Sequence, residues 1–170
     1  DNPWNFKLDE PEYLYNRGEM HNLSVQRGTL SHEERYKIND HIVQTIKMLK
    51  QLPYPRHLKN VPEIAGCHHE TMTGTGYPRR LTGEQMSLTA KIMVIADVYE
   101  ALTAADRPYK KPKTIGDAVR IMSNMQKNNH FDPDLYKLFL TSGVYKEYGE
   151  QYLDSEQIDE VDIKAYLEPH

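Results

Sequence analysis

The sequence has little cysteine, no long apolar run and no marked excess of charge of either sign. Cys67 is the only cysteine among 170 residues, so an internal disulfide is excluded and a reducing, cytoplasmic compartment is favoured. The longest apolar stretch, residues 90–102, is interrupted by Lys91, Asp97 and Glu100, whereas a membrane span needs roughly 18 uninterrupted residues. The net charge of −4 disfavours a protein that binds duplex nucleic acid.

Strand-like alternation of apolar and polar residues is also missing, and apolar residues recur at helical spacing almost everywhere. Three N-cap patterns predict helix starts, at Ser31, Thr114 and Asp132. The first of these helices carries an apolar stripe and ends at Pro53. Another helix, over residues 87–105, is apolar almost all round and should lie in the core. Gly143 closes the helix that starts at Asp132, and short helical pieces follow. The sequence therefore predicts an all-α fold.

We expect three segments along the chain. Residues 1–30 are predicted to form an irregular approach with one short helix near residues 11–19. Because the chain lacks an initiator Met, we expect this approach to be the end of a longer upstream region. Residues 31–153 are predicted to form the helical domain, and residues 154–170 a C-terminal tail.

Three sets of potential metal ligands lie on successive predicted helices: His41, the pair His68-His69, and Asp97. Each set alone favours a structural role, but Asp97 in an apolar helix needs a charged partner or a metal ion to offset its burial. Consecutive residues point about 100° apart on a helix, so His68 and His69 are predicted to serve two neighbouring ions rather than one. Imidazole and carboxylate ligands on bundle helices are the usual way to build a two-metal hydrolytic centre.

Other chemistries fit these residues less well. A zinc protease would need a second histidine to complete the His-Glu-x-x-His motif that His69 begins, and Thr73 stands at that position. Cys67 lacks an acidic or amide residue to orient a catalytic histidine, so it is predicted to be a small buried residue. Basic clusters at Arg79-Arg80 and over residues 107–113 suit a phosphate-bearing small ligand, although a solvated charged loop would explain them equally well.

A histidine pair, a Gly-Tyr-Pro loop, an Asp-bearing helix and an Arg-Pro-Tyr segment follow one another along the chain. They read His68-His69-Glu70-x-x-x-Gly74-x-Gly76-Tyr77-Pro78, Ile95-Ala96-Asp97-Val98-Tyr99-Glu100-Ala101-Leu102 and Arg107-Pro108-Tyr109. With these motifs the chain resembles the HD-GYP domain, over roughly residues 23 to 145. The resemblance implies a helical bundle of the HD phosphohydrolase superfamily with additional C-terminal helices. It also implies hydrolysis of the bacterial second messenger cyclic di-GMP to pGpG and GMP. The family performs this reaction at a centre of two or three metal ions, frequently iron or manganese.

The resemblance implies roles for individual residues. The metal ligands of the family match His41, His68, His69 and Asp97. The positions that bind substrate match Tyr77, which lies beside the substrate, and Arg107 and Lys110, which contact phosphate or guanine. The implied mechanism is metal-assisted phosphodiester hydrolysis, in which a hydroxide activated by divalent ions attacks phosphorus.

Two departures from the family pattern leave alternatives open. Thr73 stands where the family motif has Asp, and residues 1–40 contain no His-Asp dyad, the feature that defines the family. The chain is either the C-terminal part of a longer enzyme that carries an upstream sensor domain, or a degenerate module. Such a module would bind the dinucleotide or dock a GGDEF-type partner. A third hypothesis is an HD-type hydrolase of a different nucleotide, and formation of a homodimer stays open.

Overall fold

The computed structural model describes residues 2–13, 18–24, 30–105 and 112–167. These residues form eight α-helices, namely α1 (Glu19–Leu23), α2 (His32–Leu49), α3 (Val61–Ala65), α4 (Leu88–Thr103), α5 (Ile115–Lys127), α6 (Pro133–Thr141), α7 (Val144–Tyr152) and α8 (Lys164–Leu167). The described ranges contain one isolated bridge, between Thr73 and Thr82, and no β-strand. None of these helices is long and apolar enough to cross a membrane. The predicted all-α fold is confirmed.

Local capping explains why the helices start where the sequence predicts. The Ser31 hydroxyl accepts from the Glu34 backbone N–H over 3.2 Å, and the Ser31 N–H donates to the Glu34 carboxylate over 2.8 Å. Thr114 and Asp132 cap α5 and α6 in the same way, because each side chain accepts from a backbone N–H of the first turn. Gly143 adopts a left-handed φ of 75° between α6 and α7, a conformation that favours glycine.

The structure differs from the sequence-based expectation in two short segments. The helix expected near residues 11–19 lies at Glu19–Leu23, whereas residues 11–13 are not helical and residues 14–17 lie outside the described ranges. The pair His68-His69 is predicted to lie on a helix, but α3 covers only Val61–Ala65. Gly66 is the C-cap residue of α3, and the chain forms a turn over residues 66–69 instead of continuing the helix.

The core lies between α4, α5, α6 and α7. Its buried side chains include Val94, Tyr99, Val119, Met122, Phe131 and Tyr136. The Tyr99 hydroxyl donates to the Tyr145 carbonyl oxygen over 2.8 Å, so the polar end of this buried ring is satisfied. Burial of side chains of this size contributes about 1.5–3 kcal/mol each.

Helix α4 contributes Ala90, Val94, Ile95 and Tyr99 to the core, as predicted, but it is enclosed on one side only. Val94 is fully buried, but Leu88 is 64% exposed, Ile92 48% and Met93 39%. In the described part of the chain α4 packs mainly against α3, α5 and α6. The apolar composition of α4 predicted burial, but composition does not tell which neighbours are present to cover each face.

An N-terminal segment, residues 2–13, runs beside the Gly-Tyr-Pro loop, which we define as residues 72–82. The Lys7 backbone N–H donates to the Pro78 carbonyl oxygen over 2.6 Å. Asp9 forms an ion pair with Arg80 at 2.7 Å. These two contacts fix the segment against the loop and place it at the rim of the site described next.

Candidate metal centre

Three histidine side chains converge where α2 meets the turn that follows α3. His41 comes from the middle of α2, and His68 and His69 lie in the histidine turn, residues 66–70. One ring nitrogen of each of the three residues lies within 4.8 Å of those of the other two. The Nε2 atoms of His41 and His69 are 3.3 Å apart. The described residues therefore bring together three of the four metal ligands predicted from the sequence.

Two of the rings are oriented by backbone carbonyl oxygens. Nδ1 of His41 lies at hydrogen-bond distance from the Ile38 carbonyl oxygen, and Nδ1 of His68 lies 2.6 Å from the Ala65 carbonyl oxygen. A proton on Nδ1 satisfies each carbonyl and leaves the Nε2 lone pair free. This is the usual arrangement of histidine ligands, in which the second nitrogen fixes the tautomer and the ring direction.

Burial keeps the central histidine neutral. The pKa of His69 is lowered to about 4, first by burial and then by the neighbouring imidazoles of His68, His41 and His130. Because only the neutral imidazole binds a metal ion, His69 is ready to act as a ligand at pH 7. Burial also lowers the pKa of His130, which lies in the connection between α5 and α6. Sequence reasoning missed His130, because it lies in a short connection without periodicity.

The prediction that His68 and His69 lie on a helix is wrong. Their ring centroids are 4.1 Å apart, and each ring also lies within 6.0 Å of the His41 ring. The prediction assumed helical geometry for both residues, but α3 ends at Ala65. In a turn the side chains of consecutive residues are free of the fixed angular offset of a helix, so both rings face one point.

Asp97 lies on α4 and is half-buried, not fully buried as its position in an apolar helix predicted. It is not one of the three converging groups. Its charge, together with burial as the larger cause, raises the pKa of Tyr77. The Tyr77 ring stacks on His69, with centroids 4.7 Å apart and ring planes at 27°. Tyr77 therefore contacts the histidine cluster and lies within electrostatic range of the predicted carboxylate ligand.

Glu70 holds the Gly-Tyr-Pro loop against the histidine turn. Its side chain is fully buried, and its two carboxylate oxygens accept from the backbone N–H groups of Arg79 and Leu81, each over 2.8 Å. Burial raises the pKa of Glu70, and these donors oppose the shift. A Cβ at Gly76 would lie 2.5 Å from the Glu70 Cα, so only glycine permits this close approach. The loop that carries Tyr77 is thereby fixed to the residues that carry the imidazoles.

Thr73, which stands where the family motif has Asp, belongs to a small cluster of hydroxyl groups. The hydroxyls of Thr71, Thr73 and Thr75 lie 2.9–3.2 Å from one another. The Thr71 hydroxyl also accepts from the Thr75 backbone N–H over 3.1 Å. The substitution therefore replaces a negative charge by neutral hydrogen bonds within the loop.

A pocket of about 400 Å³ lies beside Tyr77, and we call it the loop pocket. Its lining includes Lys7, Arg35 and Arg80, in addition to residues 74–77 of the loop. Arg80 is paired with Asp9, but neither Lys7 nor Arg35 has a carboxylate within ion-pair distance in the part of the chain that the structure describes. Sequence reasoning assigned no role to Lys7 or Arg35. The predicted substrate residues Arg107 and Lys110 lie outside the described residues.

Cys67 is fully buried next to the histidine pair, which confirms that it is a small interior residue. Burial raises the pKa of its thiol. An Arg79 guanidinium N–H donates to the sulfur over 3.2 Å. A buried thiol with a raised pKa is a poor nucleophile, so the site does not favour cysteine chemistry.

The donor set fits a divalent transition-metal ion. Imidazole nitrogen is a common ligand of zinc, iron, copper and nickel in proteins. His41, His68 and His69 offer three such nitrogens, two of them with backbone partners for the second ring nitrogen. Three protein ligands leave room for water or substrate at the ion, as catalytic sites require.

The all-α fold and the cluster of histidines are typical of metal-dependent hydrolytic domains, and a comparison of families agrees with this class. The family model described as an HD domain matches residues 1–135. The chain therefore belongs to the HD-domain family. No His-Asp pair occurs anywhere in its 170 residues, including the matched region.

The curated relatives are named phosphodiesterases of cyclic dinucleotides. A cyclic di-GMP phosphodiesterase of Pseudomonas aeruginosa is 46% identical over 86 residues, which cover 50% of this chain and 20% of that protein. A 3'3'-cGAMP-specific phosphodiesterase of Vibrio cholerae is 36% identical over 113 residues, 66% of this chain and 21% of that protein. A cyclic di-GMP phosphodiesterase of Vibrio cholerae is 32% identical over 142 residues, 76% of this chain and 28% of that protein. The chain thus spans less than a third of the length of each of these relatives.

Proposed function

We propose that the chain is part of a metal-dependent phosphodiesterase that hydrolyses cyclic di-GMP to pGpG or GMP. In this proposal His41, His68, His69 and Asp97 hold divalent ions, with iron and manganese the expected metals. The observation that carries it is the convergence of the ring nitrogens of the three histidines within 4.8 Å, beside a loop that brings Tyr77 onto His69. The names of the relatives support a cyclic dinucleotide as the substrate class.

The residues around the cluster would have separate roles in binding the ions and in binding and orienting the substrate. Bound divalent ions supply an activated water and stabilise the charge that develops on phosphate. Burial keeps His69 neutral, backbone carbonyl oxygens direct the rings of His41 and His68, and the three imidazoles would hold the ions. Tyr77 orients the substrate from the loop. Lys7 and Arg35 in the loop pocket, with Arg107 and Lys110, would neutralise phosphate charge.

The second candidate function is a binding module that does not catalyse hydrolysis. The observation that favours it is the absence of a His-Asp pair from the sequence, because this dyad would supply a ligand to both ions in the family that the chain resembles. Such a module would bind the dinucleotide weakly, or dock a GGDEF-type partner through the Gly-Tyr-Pro loop. It would retain the positive loop pocket without turnover.

A hydrolysis assay separates the two candidates. The chain is incubated with Mn²⁺ or Fe²⁺ and with cyclic di-GMP or 3'3'-cGAMP, and linear product is followed by chromatography. The enzyme proposal predicts slow product formation that requires the metal ion and disappears in His69→Ala, whereas His57→Ala, which changes a histidine of an exposed turn, keeps it. Product that persists in His69→Ala contradicts the site. Dinucleotide binding without product favours the module.

A further inference from the structure

A second pocket, of about 470 Å³, lies behind the metal centre, between the C-terminal end of α2, the start of α3 and Arg79. We call it the rear pocket. None of its lining residues lines the loop pocket, and none is a histidine. Its size falls within the range of small-molecule sites, about 300–1,000 Å³. The rear pocket therefore has the dimensions of a ligand site that is separate from the one proposed for the substrate.

Positive charge dominates this pocket. Lys50, Lys59 and Arg79 line it, and Glu63 is its only acidic lining residue. In the described ranges none of the three cations has a carboxylate oxygen within 4.0 Å. Three cations around one cavity repel each other unless an anion enters between them. In a protein of net charge −4, such a local excess is unusual and favours an anionic ligand.

Arg79 carries the strongest indication of a missing partner. Its side chain is half-buried, its Nε–H is buried without a hydrogen-bond acceptor, and a terminal N–H donates to the Cys67 sulfur over 3.2 Å. A thiol sulfur is a weak acceptor and does not balance a guanidinium charge. Partly buried guanidinium groups are normally paired with a carboxylate or a phosphate. The Glu70 carboxylate interacts electrostatically with Arg79, but in the described chain no carboxylate oxygen lies within ion-pair distance of the guanidinium.

The lining of the rear pocket also includes apolar and aromatic side chains. Leu52 and Pro62 line it, together with the half-buried ring of Tyr54. A ring and apolar side chains that line the same pocket as three cations suit a ligand with a flat ring at one end and a phosphate at the other. A phosphate monoester carries about 1.5 to 2 negative charges at pH 7, close to the excess of positive charge in the pocket.

We propose that the rear pocket binds a mononucleotide, with its phosphate against Lys50, Lys59 and Arg79 and its base beside Tyr54. This site does not depend on the proposed phosphodiesterase activity. Arg79 nevertheless connects the rear pocket to the histidine turn. Its backbone N–H donates to Glu70 and its guanidinium donates to Cys67, and these two residues flank His68-His69 in the sequence. The lysines are the better residues to test, because a change at Arg79 would also disturb the loop.

The test is isothermal titration calorimetry on the chain in chelator, so that the metal centre does not bind phosphate through an ion. The probes are 5'-GMP, guanosine and inorganic phosphate. We expect saturable binding of GMP and binding at least about tenfold weaker for guanosine and for phosphate. Lys59→Ala and Lys50→Ala should each lower the affinity for GMP about tenfold, as expected for loss of a charge-assisted hydrogen bond. Arg56→Ala, which removes an exposed cation three positions before Lys59 and outside the lining, should change affinity less than about twofold.

Tryptophan fluorescence gives a second measurement. Trp4 is the only tryptophan, and its ring lies 5.9 Å from Nζ of Lys50. A phosphate that engages Lys50 should change the emission of Trp4. Ribose 5-phosphate, which does not absorb near 280 nm, serves as the probe, and the change should be absent in Lys50→Ala.

Three results would overturn the proposal. The first is absence of saturable GMP binding in chelator. The second is binding that stays unchanged in the folded double variant Lys50→Ala, Lys59→Ala, with folding checked by circular dichroism. The third is inorganic phosphate binding as tightly as GMP, which would exclude a nucleotide as the specific ligand. Activity at the metal centre enters none of these measurements, so the outcome is independent of the proposed enzyme function.

Discussion

Glu70 is a fully buried carboxylate that joins two functional parts of the site through two backbone hydrogen bonds of 2.8 Å. Glu70→Ala leaves both N–H groups without an acceptor, and we expect it to lower the free energy of unfolding by about 2–4 kcal/mol. Urea denaturation followed by circular dichroism measures the change. Glu63→Ala, an exposed neighbour, serves as the control, with an expected change below about 0.5 kcal/mol. Equal stability of both variants would show that the Glu70 hydrogen bonds contribute nothing net.

The histidines predict how stability depends on pH in the absence of metal. Burial lowers the pKa of His130, and the pKa of His69 is about 4. Between pH 6.5 and these lower values the unfolded chain binds protons that the folded chain does not. The free energy of unfolding therefore falls as pH falls through this window, and it is fully retained above about pH 6.5.

The comparison that checks this is denaturation in chelator at pH 7.5 and pH 5.5, for the wild-type chain and for His130→Gln. We expect a smaller loss of stability on acidification in the variant, because one of the titrating histidines is removed. The raised pKa of Glu70 has the opposite effect on stability. Because Glu70 is present in both proteins, its contribution cancels when their losses of stability are compared. The same loss in both proteins would show that His130 does not contribute.

At the scale of elements, the proposed metal ligands connect α2 to the histidine turn. Helix α2 packs mainly against the short helix α3, and His41 faces the histidine turn across this contact. A bound ion would add a link between the two elements. An ion at a hundred times its dissociation constant stabilises the folded chain by about 2.7 kcal/mol, so Mn²⁺ should raise Tm by about 5–10 °C and chelator should reverse the shift.

Variants assign this shift to the site. His41→Ala and His68→Ala should abolish it, Asp97→Ala should weaken it, and His57→Ala should keep it. Elemental analysis of the purified proteins gives an independent count of retained metal. A Tm of the wild-type chain that changes with neither Mn²⁺ nor chelator would contradict the assignment of His41 as a ligand.

Prediction from sequence succeeds for elements whose cause is local. The capping residues Ser31, Thr114 and Asp132 each act on backbone groups within three positions, so the starts of α2, α5 and α6 could be derived. The end of α3 was missed, although Gly66, its C-cap residue, is a local signal. The open face of α4 could not be derived from the sequence, since it depends on which other elements pack there.

The same distinction applies within the site. His41, His68 and His69 were recognised from their types and their motif, and the structure brings them together. Lys7 and Arg35 were missed, because a cation on an irregular segment or on the polar face of a helix carries no local signal of a pocket. The stacking of Tyr77 on His69 follows from the position of the loop, which buried long-range contacts determine.

For the whole molecule, the number of ligands predicts a limited metal content. The chain offers three imidazoles and one carboxylate, whereas two catalytic ions normally need more. We expect the 170-residue chain to bind at most one ion tightly and to turn over cyclic di-GMP very slowly. Calorimetry with Mn²⁺ gives the stoichiometry, and chromatography of pGpG gives the rate. Two tightly bound ions with multiple turnovers would indicate substitute ligands, and His32, Glu33 and Glu34 would be the first to change.

The contact between the N-terminal segment and the Gly-Tyr-Pro loop also bears on the order in which the molecule folds. Asp9 and Arg80 are 71 positions apart, so their ion pair closes a long stretch of chain that already contains α2 and α3. Contacts between distant positions carry a larger entropy cost than the local contacts of a helix. We therefore expect the helices to form first and the rim of the metal centre to be completed last. The loop pocket, whose lining includes Lys7 and Asp9, is therefore complete only when the N-terminal segment has docked.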